Sequence, residues 1–362
     1  MTSEKPKVMF LINALALGGG ERVLMRDANE LAARGYDVYF GCLYPNRYDA
    51  DRLPPLELSP DHIICFNFNG PYSLQGYRRL ATFLNAHSID VLYSTLDDAN
   101  IVARVSKLFR PRTRVFVREA NVAQIKTWKL KLADIFLNFL STKIIACSPL
   151  VKKTLIPYQP FHAGKMVVLE NGVDIPPEMP SRPPKDEVKF LTVGSIEVRK
   201  RHLFILRSLL HLKETALKWK FYIIGGGSKE GELREFIQAN GLAERVILTG
   251  VKTKQEVAEY YRSADIFVFT PEWEGGPNVV LEAMSYGLPC VVTKFVGEEK
   301  ITDGVEGYLV EYGNEKILAD RIGILARDPG LRQSMGQKGR ELVIRENSME
   351  AHTRTLREIL EM

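Results

Sequence analysis

Short β-rich segments alternate with amphipathic segments of helical period along almost the entire chain. Strands that alternate with helices pair in parallel, because each helix returns the chain across one face of the sheet. The predicted strands are residues 8–16, 38–43, 63–66, 91–94, 114–117, 144–146, 167–169, 189–193, 221–224, 246–248, 266–269 and 289–292. We therefore predict an α/β protein with two doubly wound, Rossmann-like domains that face a central cleft.

A proline-rich segment divides this pattern into two halves. Residues 175–187 hold five of the 19 prolines and lack a periodic apolar pattern, as is typical of an interdomain linker. The predicted domains are residues 1–174 and 188–345, and residues 346–362 are predicted to form a helix that packs back on the first domain. A length of 362 residues agrees with two domains, since single hydrophobic cores stop growing at roughly 250–300 residues.

The composition excludes several classes of protein. With 45% hydrophobic and 26% charged residues, the chain is neither a fibre, a disordered protein nor a multi-span membrane protein. The apolar run of residues 8–17 contains Asn13 and leads into glycines, so we interpret it as a buried strand and not as a signal peptide. The four cysteines form no C-x-x-C pair, which argues against a disulfide framework or a zinc site and favours a cytoplasmic location.

The net charge of +5 lies in the first half of the chain. Through Asp174 there are 22 Lys and Arg against 16 Asp and Glu, whereas the remainder has 27 against 28. Such an excess attracts anionic partners, for example a phosphorylated substrate or an anionic membrane surface, although solubility alone would also account for it. We predict no nucleic-acid partner.

A glycine-rich loop follows the first predicted strand and opens a helix. Gly19 and Gly20 would let a ligand approach backbone N–H groups at the positive end of the helix dipole, which favours a phosphate or a carboxylate. The loop is neither G-x-G-x-x-G nor a P-loop, which argues against a nicotinamide dehydrogenase and a P-loop NTPase. A tight turn without a ligand is the alternative.

A second loop of this kind, residues 194–202, follows the first strand of the second half. It contains Ser195 and the three consecutive cations Arg199, Lys200 and Arg201, beside a glycine that ends a strand. Cations in this position are suited to neutralise a diphosphate. A solvated surface run is the alternative interpretation.

The most informative segment is residues 271–284, Pro-Glu-Trp-Glu-Gly-Gly-Pro-Asn-Val-Val-Leu-Glu-Ala-Met. A strand leads into Gly275 and Gly276, and Pro277 stands where the first turn of a helix would begin. Glu282 would lie one to two turns into that helix in an apolar context, where an unpaired carboxylate is costly and sugar hydroxyls would supply donors. Helix capping with a structural salt bridge is the alternative.

Together with residues 170–174 and 303–310, these loops resemble the retaining glycosyltransferases of family 4, which have the glycosyltransferase-B (GT-B) fold. The most specific element is the E-x7-E signature from Glu274 to Glu282. The resemblance implies that the C-terminal domain holds a UDP- or GDP-linked sugar and that the N-terminal domain holds most of a glycan or lipid-linked acceptor. It also implies that the enzyme needs no metal and no cofactor besides the donor sugar.

The resemblance assigns roles to individual residues. It implies that Glu282 binds the ribose hydroxyls, that Glu274 contacts the donor sugar near its reacting face, and that Lys200 stabilises the diphosphate leaving group. It places further donor contacts at Gly19, Gly20, Gly275, Gly276, Asn278 and Val279, and one near the base at Val251. Where the family commonly has Arg after the strand-terminal glycine, this chain has Ser195, so we hypothesise that Arg199 supplies the missing charge.

The implied reaction is a same-face attack by an acceptor hydroxyl, assisted by the leaving diphosphate and by electrostatic stabilisation of its charge. We find no clear general base.

Arg118 and Asn121 follow a strand of the first domain and are predicted to border the cleft and contact donor or acceptor. Asp49 and Asp51 have the D-x-D spacing of a metal site in glycosyltransferases of another fold, but lie away from any predicted strand end, so we predict no metal site.

Residues 124–140 are basic at one end and apolar along one stripe. They would either lie on an anionic membrane at the inner face, to reach a lipid-linked acceptor, or pack on the N-terminal sheet.

The predicted function is a retaining hexosyltransferase of polysaccharide or lipopolysaccharide biosynthesis. The alternatives are a nucleotide-sugar epimerase, a sugar phosphorylase, or a catalytically silent nucleotide-sugar binding protein.

Overall fold

The computed structural model describes residues 5–15, 19–45, 56–183, 185–213, 215–297 and 299–361. The chain forms two compact units. Unit 1 comprises Met1–Gly172 and His352–Met362, and unit 2 comprises Val173–Ala351. The division falls at Gly172, two residues before the predicted end of the first domain, and at Ala351, within the predicted final segment.

Unit 1 is built around a seven-stranded parallel sheet with the strand order β3-β2-β1-β4-β5-β6-β7. Its strands are β1 (Val8–Ile12), β2 (Val38–Cys42), β3 (Ile63–Cys65), β4 (Val91–Thr95), β5 (Arg114–Glu119), β6 (Lys143–Ala146) and β7 (Met166–Val168). The helices between them are α1 (Gly19–Ala33), α2 (Leu74–Ala86), α3 (Asp97–Ser106), α4 (Trp128–Leu137) and α5 (Pro149–Leu155). Strand β1 is fully buried, as its continuous apolar sequence requires in a sheet covered on both faces.

Unit 2 has a six-stranded parallel sheet in the order β10-β9-β8-β11-β12-β13. Its strands are β8 (Glu187–Val193), β9 (Lys218–Ile224), β10 (Val246–Gly250), β11 (Ile266–Phe269), β12 (Cys290–Thr293) and β13 (Gly307–Val310). Its helices are α6 (His202–Lys213), α7 (Glu230–Ala239), α8 (Lys254–Ser263), α9 (Asn278–Ser285), α10 (Lys294–Gly297), α11 (Glu315–Arg327) and α12 (Pro329–Asn347). The prediction of an α/β protein with two Rossmann-like parallel sheets is confirmed.

The final helix α13 (Met349–Leu360) begins in unit 2 and ends in unit 1. Its residues Leu356, Ile359 and Leu360 belong to the core of unit 1, where they join Val8 and Phe10 of β1. The last helix therefore completes the hydrophobic core of the first unit.

The predicted linker, residues 175–187, is a packed part of unit 2. The guanidinium of Arg182 donates hydrogen bonds to the carbonyl oxygens of Tyr261, Ala264 and Tyr286 at 3.0, 2.6 and 2.9 Å. Glu187 is already the first residue of β8. The prolines interrupt the periodic apolar pattern of this segment, but the hydrogen bonds of Arg182 attach it to unit 2.

Most strand bounds differ from the sequence prediction by one to four residues, and one strand was not predicted. Strand β1 stops at Ile12, where Asn13 turns its side chain to accept the N–H of Ala99 at 2.8 Å. Strand β5 continues through Arg118 and Glu119, because both residues still pair with neighbouring strands. Strand β13 was not predicted, since four residues beginning with a glycine resemble a turn more than a strand.

Candidate functional site

At the carboxyl edge of the unit 2 sheet, the loops after β8, β9 and β10 lie against one another. The N–H of Gly194 donates to Ile224 O and the N–H of Ile196 donates to Gly226 O, both at 2.9 Å. A Cβ atom at Gly225 would lie 2.0 Å from Gly194 O, so this close approach requires glycine. The backbone of residues 225–227 therefore lines the edge at which parallel sheets bind ligands, and we call these residues the glycine floor.

Residues 225–227 were not singled out in the sequence, although three glycines directly after a strand were an available signal. Val251 and Ser195 border this glycine floor. A Cβ atom at Gly226 would lie 3.3 Å from Val251 Cγ2, and both Val251 and Ser195 are exposed. The structure therefore gathers two of the predicted donor contacts around a glycine loop that sequence analysis missed.

Three charged side chains meet where the loops after β8 and β11 approach each other. Glu274 Oε1 accepts hydrogen bonds from both Arg199 Nη1 and Lys200 Nζ. The loops are also joined by the N–H of Glu272, which donates to Arg199 O at 2.8 Å. The Lys200 and Glu274 side chains are only 10% and 15% exposed, so water screens this cluster weakly.

The cations of this cluster also lie over aromatic rings. Lys200 Nζ is 4.8 Å from the centroid of Phe269, and Arg199 Cζ is 5.1 Å from that of Trp273. Burial lowers the pKa of the Lys200 amine, and the attraction of Glu274 only partly offsets this effect. Arg199, proposed from sequence as a phosphate ligand, is thus placed beside Lys200 on the same carboxylate.

Helix α9 carries the second glutamate of the E-x7-E signature. The helix starts at Asn278 with Pro277 as its N-cap, and Gly276 O accepts the N–H of Asn278 at 3.0 Å. Gly275 is buried, and Val279 lies in the first turn of the helix. The predicted helix start at Pro277 differs from the observed one by a single residue.

Glu282 is half-buried on α9 and is held by a tyrosine that the sequence did not reveal. The hydroxyl of Tyr261, on α8, donates to Glu282 Oε2 at 3.0 Å. Burial and the Glu282 carboxylate raise the pKa of Tyr261 well above its usual value, so the hydroxyl stays protonated and donates. The two residues are 21 positions apart, and no local pattern links them.

Unit 1 has a polar pocket of about 170 Å³ at the carboxyl ends of its strands. Its lining includes Arg118 and Asn121, the residues that were predicted to border the central cleft. The buried guanidinium of Arg118 donates to the hydroxyl of Tyr93 at 3.0 Å and to Asn171 Oδ1. Asn121 is exposed, so it is the more accessible of the two.

The predicted phosphate loop of unit 1 lies next to this pocket. Helix α1 begins at Gly19, and a Cβ atom at Gly20 would lie 3.6 Å from Leu96 Cδ2, a pocket residue. The preceding residues 16–18 lie outside the described part of the chain, as do Asp49 and Asp51. In the residues that are described, no three His, Cys, Asp or Glu side chains gather in a way that would hold a metal ion.

Two family models cover most of the chain. The model of Glycosyltransferase Family 4 matches residues 17–176, and the model of Glycosyl transferases group 1 matches residues 176–342. The chain is a GT-B glycosyltransferase of the group 1 and family 4 type. The two models meet within four residues of the boundary between the units.

Relatives of this glycosyltransferase extend over nearly its full length. It is 24% identical to N-acetylgalactosamine-N,N'-diacetylbacillosaminyl-diphospho-undecaprenol 4-alpha-N-acetylgalactosaminyltransferase of Campylobacter jejuni, over 92% of this chain and 94% of the relative. It is 22% identical to UDP-Gal:alpha-D-GlcNAc-diphosphoundecaprenol alpha-1,3-galactosyltransferase of Escherichia coli, over 86% and 85%. The structure of Anabaena HepE in complex with UDP superposes with a TM-score of 0.82 at 18% identity, over 98% and 99% of the two chains, which supports the GT-B fold.

Proposed function

We propose that this glycosyltransferase transfers a sugar, with retention of configuration, from a nucleotide diphosphate donor to a hydroxyl of a glycan or lipid-linked acceptor. The observation that carries the proposal is the cluster of Arg199, Lys200 and Glu274 at the carboxyl edge of the unit 2 sheet. Two cations share one carboxylate there, so the cluster keeps an excess positive charge for an anionic ligand. We expect a diphosphate to take over the two cations and to release Glu274 to the donor sugar.

The chemistry of the cluster suits a leaving diphosphate. Negative charge grows on the diphosphate oxygen as the bond to the anomeric carbon breaks, and fixed cations in a poorly hydrated place stabilise that charge. Lys200 and Arg199 are held in advance by Glu274, Phe269 and Trp273, so little reorganisation is needed. The acceptor hydroxyl then attacks from the face that the diphosphate leaves, and its proton passes to the diphosphate oxygen.

Further predicted donor contacts of unit 2 lie near the same edge. The glycine floor would let the nucleotide lie close to the sheet, with the exposed Val251 beside the base. We expect Glu282, which accepts a hydrogen bond from Tyr261, to bind the ribose hydroxyls. We also propose that transfer needs no metal and no added cofactor, so that excess EDTA leaves the rate unchanged.

The class of acceptor is inferred from the relatives and from unit 1. The names of the Campylobacter jejuni and Escherichia coli relatives both include a diphospho-undecaprenol or diphosphoundecaprenol acceptor. We propose an acceptor of this lipid-linked type, used in polysaccharide or lipopolysaccharide assembly at the cytoplasmic face of a membrane. Within the described ranges, no helix is both long and apolar enough to cross a bilayer. We propose that the contact with the membrane is peripheral.

Helix α4 offers the surface for this contact. We call Trp128, Leu132, Phe136, Phe139 and Phe161 the α4 surface. All five side chains are exposed, Phe136 at 69% and Phe161 at 85%, and Asp134 is the buried residue of α4. Lys129 and Lys131 lie on the same helix, which suits an anionic lipid surface. The sequence left membrane contact and packing on the sheet open, and this exposure favours the membrane.

Calorimetric titration with UDP, GDP and ADP, without added metal, tests the donor site. We expect selective binding of one diphosphate to the wild-type protein and to Lys218→Ala, which removes an exposed lysine at the start of β9. Lys200→Ala should weaken the binding by roughly tenfold or more, as for the loss of a charge-assisted hydrogen bond. If no diphosphate binds the wild type, the donor-site proposal is wrong.

Sedimentation with lipid vesicles tests the α4 surface. We expect binding to phosphatidylcholine vesicles that contain phosphatidylglycerol, and weak or no binding without it. The double variant Trp128→Ala, Phe136→Ala should lose this binding, whereas Tyr72→Ala, which removes another exposed aromatic of unit 1, should retain it. Equal sedimentation of the two variants would show that the α4 surface does not contact the lipid.

A further inference from the structure

The pocket of unit 1 lies where the strand order of the sheet reverses. From β1 the chain builds outward through β2 and β3, whereas from β4 it builds in the other direction through β5 to β7. Strands β1 and β4 are neighbours, and the pocket is lined by Asn13 after β1, Leu96 after β4 and Glu119 at the end of β5. Such a switch point leaves a crevice beyond the strand ends, where ligands of doubly wound sheets bind.

One carboxylate oxygen in this pocket lacks a hydrogen-bond partner among the described residues. Glu119 is 3% exposed, and its Oε2 lies 2.6 Å from Lys126 Nζ, whereas its Oε1 is buried without a donor. Burial raises the pKa of Glu119, although Lys126 acts in the opposite direction. A buried carboxylate oxygen without a donor is costly, so this atom is suited to receive a hydroxyl from a ligand.

Glu119 is held rigidly. Lys126 Nζ also lies 2.7 Å from Asp134 Oδ2, and Arg104 Nη1 donates to Asp134 Oδ1 at 3.0 Å. All four side chains are buried. Because Oε2 is fixed by this network, Oε1 is kept in one position beside the pocket. A prearranged acceptor of this kind selects a ligand by the direction of its hydroxyl.

The backbone of the pocket shows a second irregularity. Leu96 has φ 74°, a left-handed conformation that a large side chain rarely adopts. Its side chain and that of Ile125 supply the apolar part of the lining. Strain of this kind persists where the surrounding structure holds it, and it occurs preferentially at ligand sites.

The charges of the pocket identify the class of ligand. Asp97 and Glu119 line it together with Lys126, whose ammonium is already engaged with Glu119 and Asp134. Arg118 also lines the pocket, but its guanidinium is engaged with Tyr93 and Asn171. A phosphate would meet two carboxylates and two cations that are already engaged within the fold, so an anion is disfavoured. A neutral ring with hydroxyls on its edge and an apolar face fits better. The volume of about 170 Å³ is below the range of roughly 300–1,000 Å³ found for drug-sized ligands and suits a single ring.

We propose that this pocket binds the terminal sugar ring of the acceptor and that Glu119 Oε1 accepts a hydrogen bond from one of its hydroxyls. The inference rests on the proposed function, because it takes the ligand to be the acceptor. It also gives Lys126 and Asp134 a role, since Lys126 holds Glu119, Asp134 holds Lys126, and both lie on the segment that carries the α4 surface. A lipid-linked acceptor would then meet the pocket and the membrane surface through the same segment of unit 1.

Saturation-transfer NMR with methyl glycosides tests the pocket without the need for the complete acceptor. The probes are the methyl α- and β-pyranosides of glucose, galactose, N-acetylglucosamine and N-acetylgalactosamine. We expect at least one to bind the wild type and the control Glu57→Gln, which alters an exposed glutamate of unit 1. Glu119→Gln should weaken that binding by roughly tenfold or more. Because this variant disturbs a buried ion network, Ile125→Trp, which fills the pocket from its exposed rim, is the second variant and should abolish binding.

Diphosphate titration on the same samples separates the two proposals. If a diphosphate binds but no glycoside does, or if both variants bind glycosides as the wild type does, the pocket proposal is overturned while the donor site stands. If neither a diphosphate nor a glycoside binds, the proposed function fails as well. Glycoside binding that is lost in both variants, with diphosphate binding intact, would support the pocket as the acceptor site.

Discussion

A carboxylate beside a lysine lies at the carboxyl edge of each sheet, and its surroundings differ between the two units. In unit 2, a single oxygen of Glu274 accepts from both Arg199 and Lys200. In unit 1, one oxygen of Glu119 binds Lys126, which Asp134 shares, and the other oxygen has no donor within the described residues. The first edge has cations in excess and suits an anion, whereas the second holds a carboxylate oxygen without a donor and suits a hydroxyl. Under the two proposals, the same pair of residue types serves the donor in unit 2 and the acceptor in unit 1.

Lys200→Ala should have the largest effect on the unit 2 edge. Removal of the buried cation takes away stabilisation of the leaving diphosphate, so kcat should fall by about 10²–10³-fold, as for the loss of one preorganised donor to a developing charge. Lys218→Ala is the control and should keep the wild-type rate. The measurement is nucleotide release in the presence of acceptor. If the rate of Lys200→Ala lay within a few-fold of wild type, the cations at the unit 2 edge would have no role in transfer.

The pH dependence of activity should reflect the protonation of Lys200. Burial lowers the pKa of Lys200 below its ordinary value of 10.5, and the amine stabilises the diphosphate only while it is protonated. Activity should therefore fall as the pH rises through the lowered pKa, by about tenfold for each pH unit above it. The profile of kcat/KM from neutral to alkaline pH checks this expectation. Lys200→Arg should move the alkaline fall to higher pH, and an unchanged profile in that variant would assign the fall to another group.

Arg199→Ala tests whether the second cation replaces the arginine that the family commonly has at Ser195. We expect activity to fall by about tenfold or more, because a charge-assisted contact of roughly 1.5–3 kcal/mol is lost. Arg234→Ala, which removes an exposed arginine of α7, should leave activity unchanged. If the kinetics of Arg199→Ala match those of wild type, Arg199 serves only to hold Glu274.

Glu274→Gln should change the affinity for the diphosphate only slightly, while it lowers the rate of sugar transfer. Without the carboxylate, the cations are free for the diphosphate, so UDP or GDP should bind as tightly as in wild type or a few-fold more tightly. The transfer rate should still fall by about tenfold, because the contact to the donor sugar is weakened. Calorimetry and initial rates on the same variant give both numbers. A large loss of diphosphate affinity would contradict the assignment of Glu274 to the sugar.

Much of the architecture could be predicted from local patterns. Strands such as Val38–Cys42 and Ile266–Phe269 are continuous apolar runs, which a parallel sheet with both faces covered requires. Strand β13 escaped prediction because Gly307 looks like a turn residue. In the structure, a Cβ atom at Gly307 would lie 2.0 Å from Cys290 O, so glycine permits the close pairing of β12 and β13. Local sequence cannot distinguish a glycine of this kind from a glycine in a turn.

The candidate site was predictable in part. Lys200 and Glu274 stand out as charged residues in glycine-rich loops that follow strands, and the E-x7-E resemblance marks Glu274 together with Glu282 on the next helix. Tyr261 and Glu119 do not stand out. Tyr261 lies on α8 with no local pattern that links it to Glu282, and only the fold brings the two together. Glu119 lies between Arg118 and Asn121, which the sequence analysis selected, and no local pattern distinguishes it.

The sequence by itself determined which segments become strands and helices and which strand ends carry charge and glycine, because periodicity and backbone freedom are local properties. The tertiary structure decided which of those charges meet. It placed Arg199 and Lys200 on one oxygen of Glu274, left one oxygen of Glu119 without a donor in the described part of the chain, and exposed the apolar side chains of α4. Electrostatic pairing and burial depend on distances between residues far apart in the chain, and only the folded sheets set those distances.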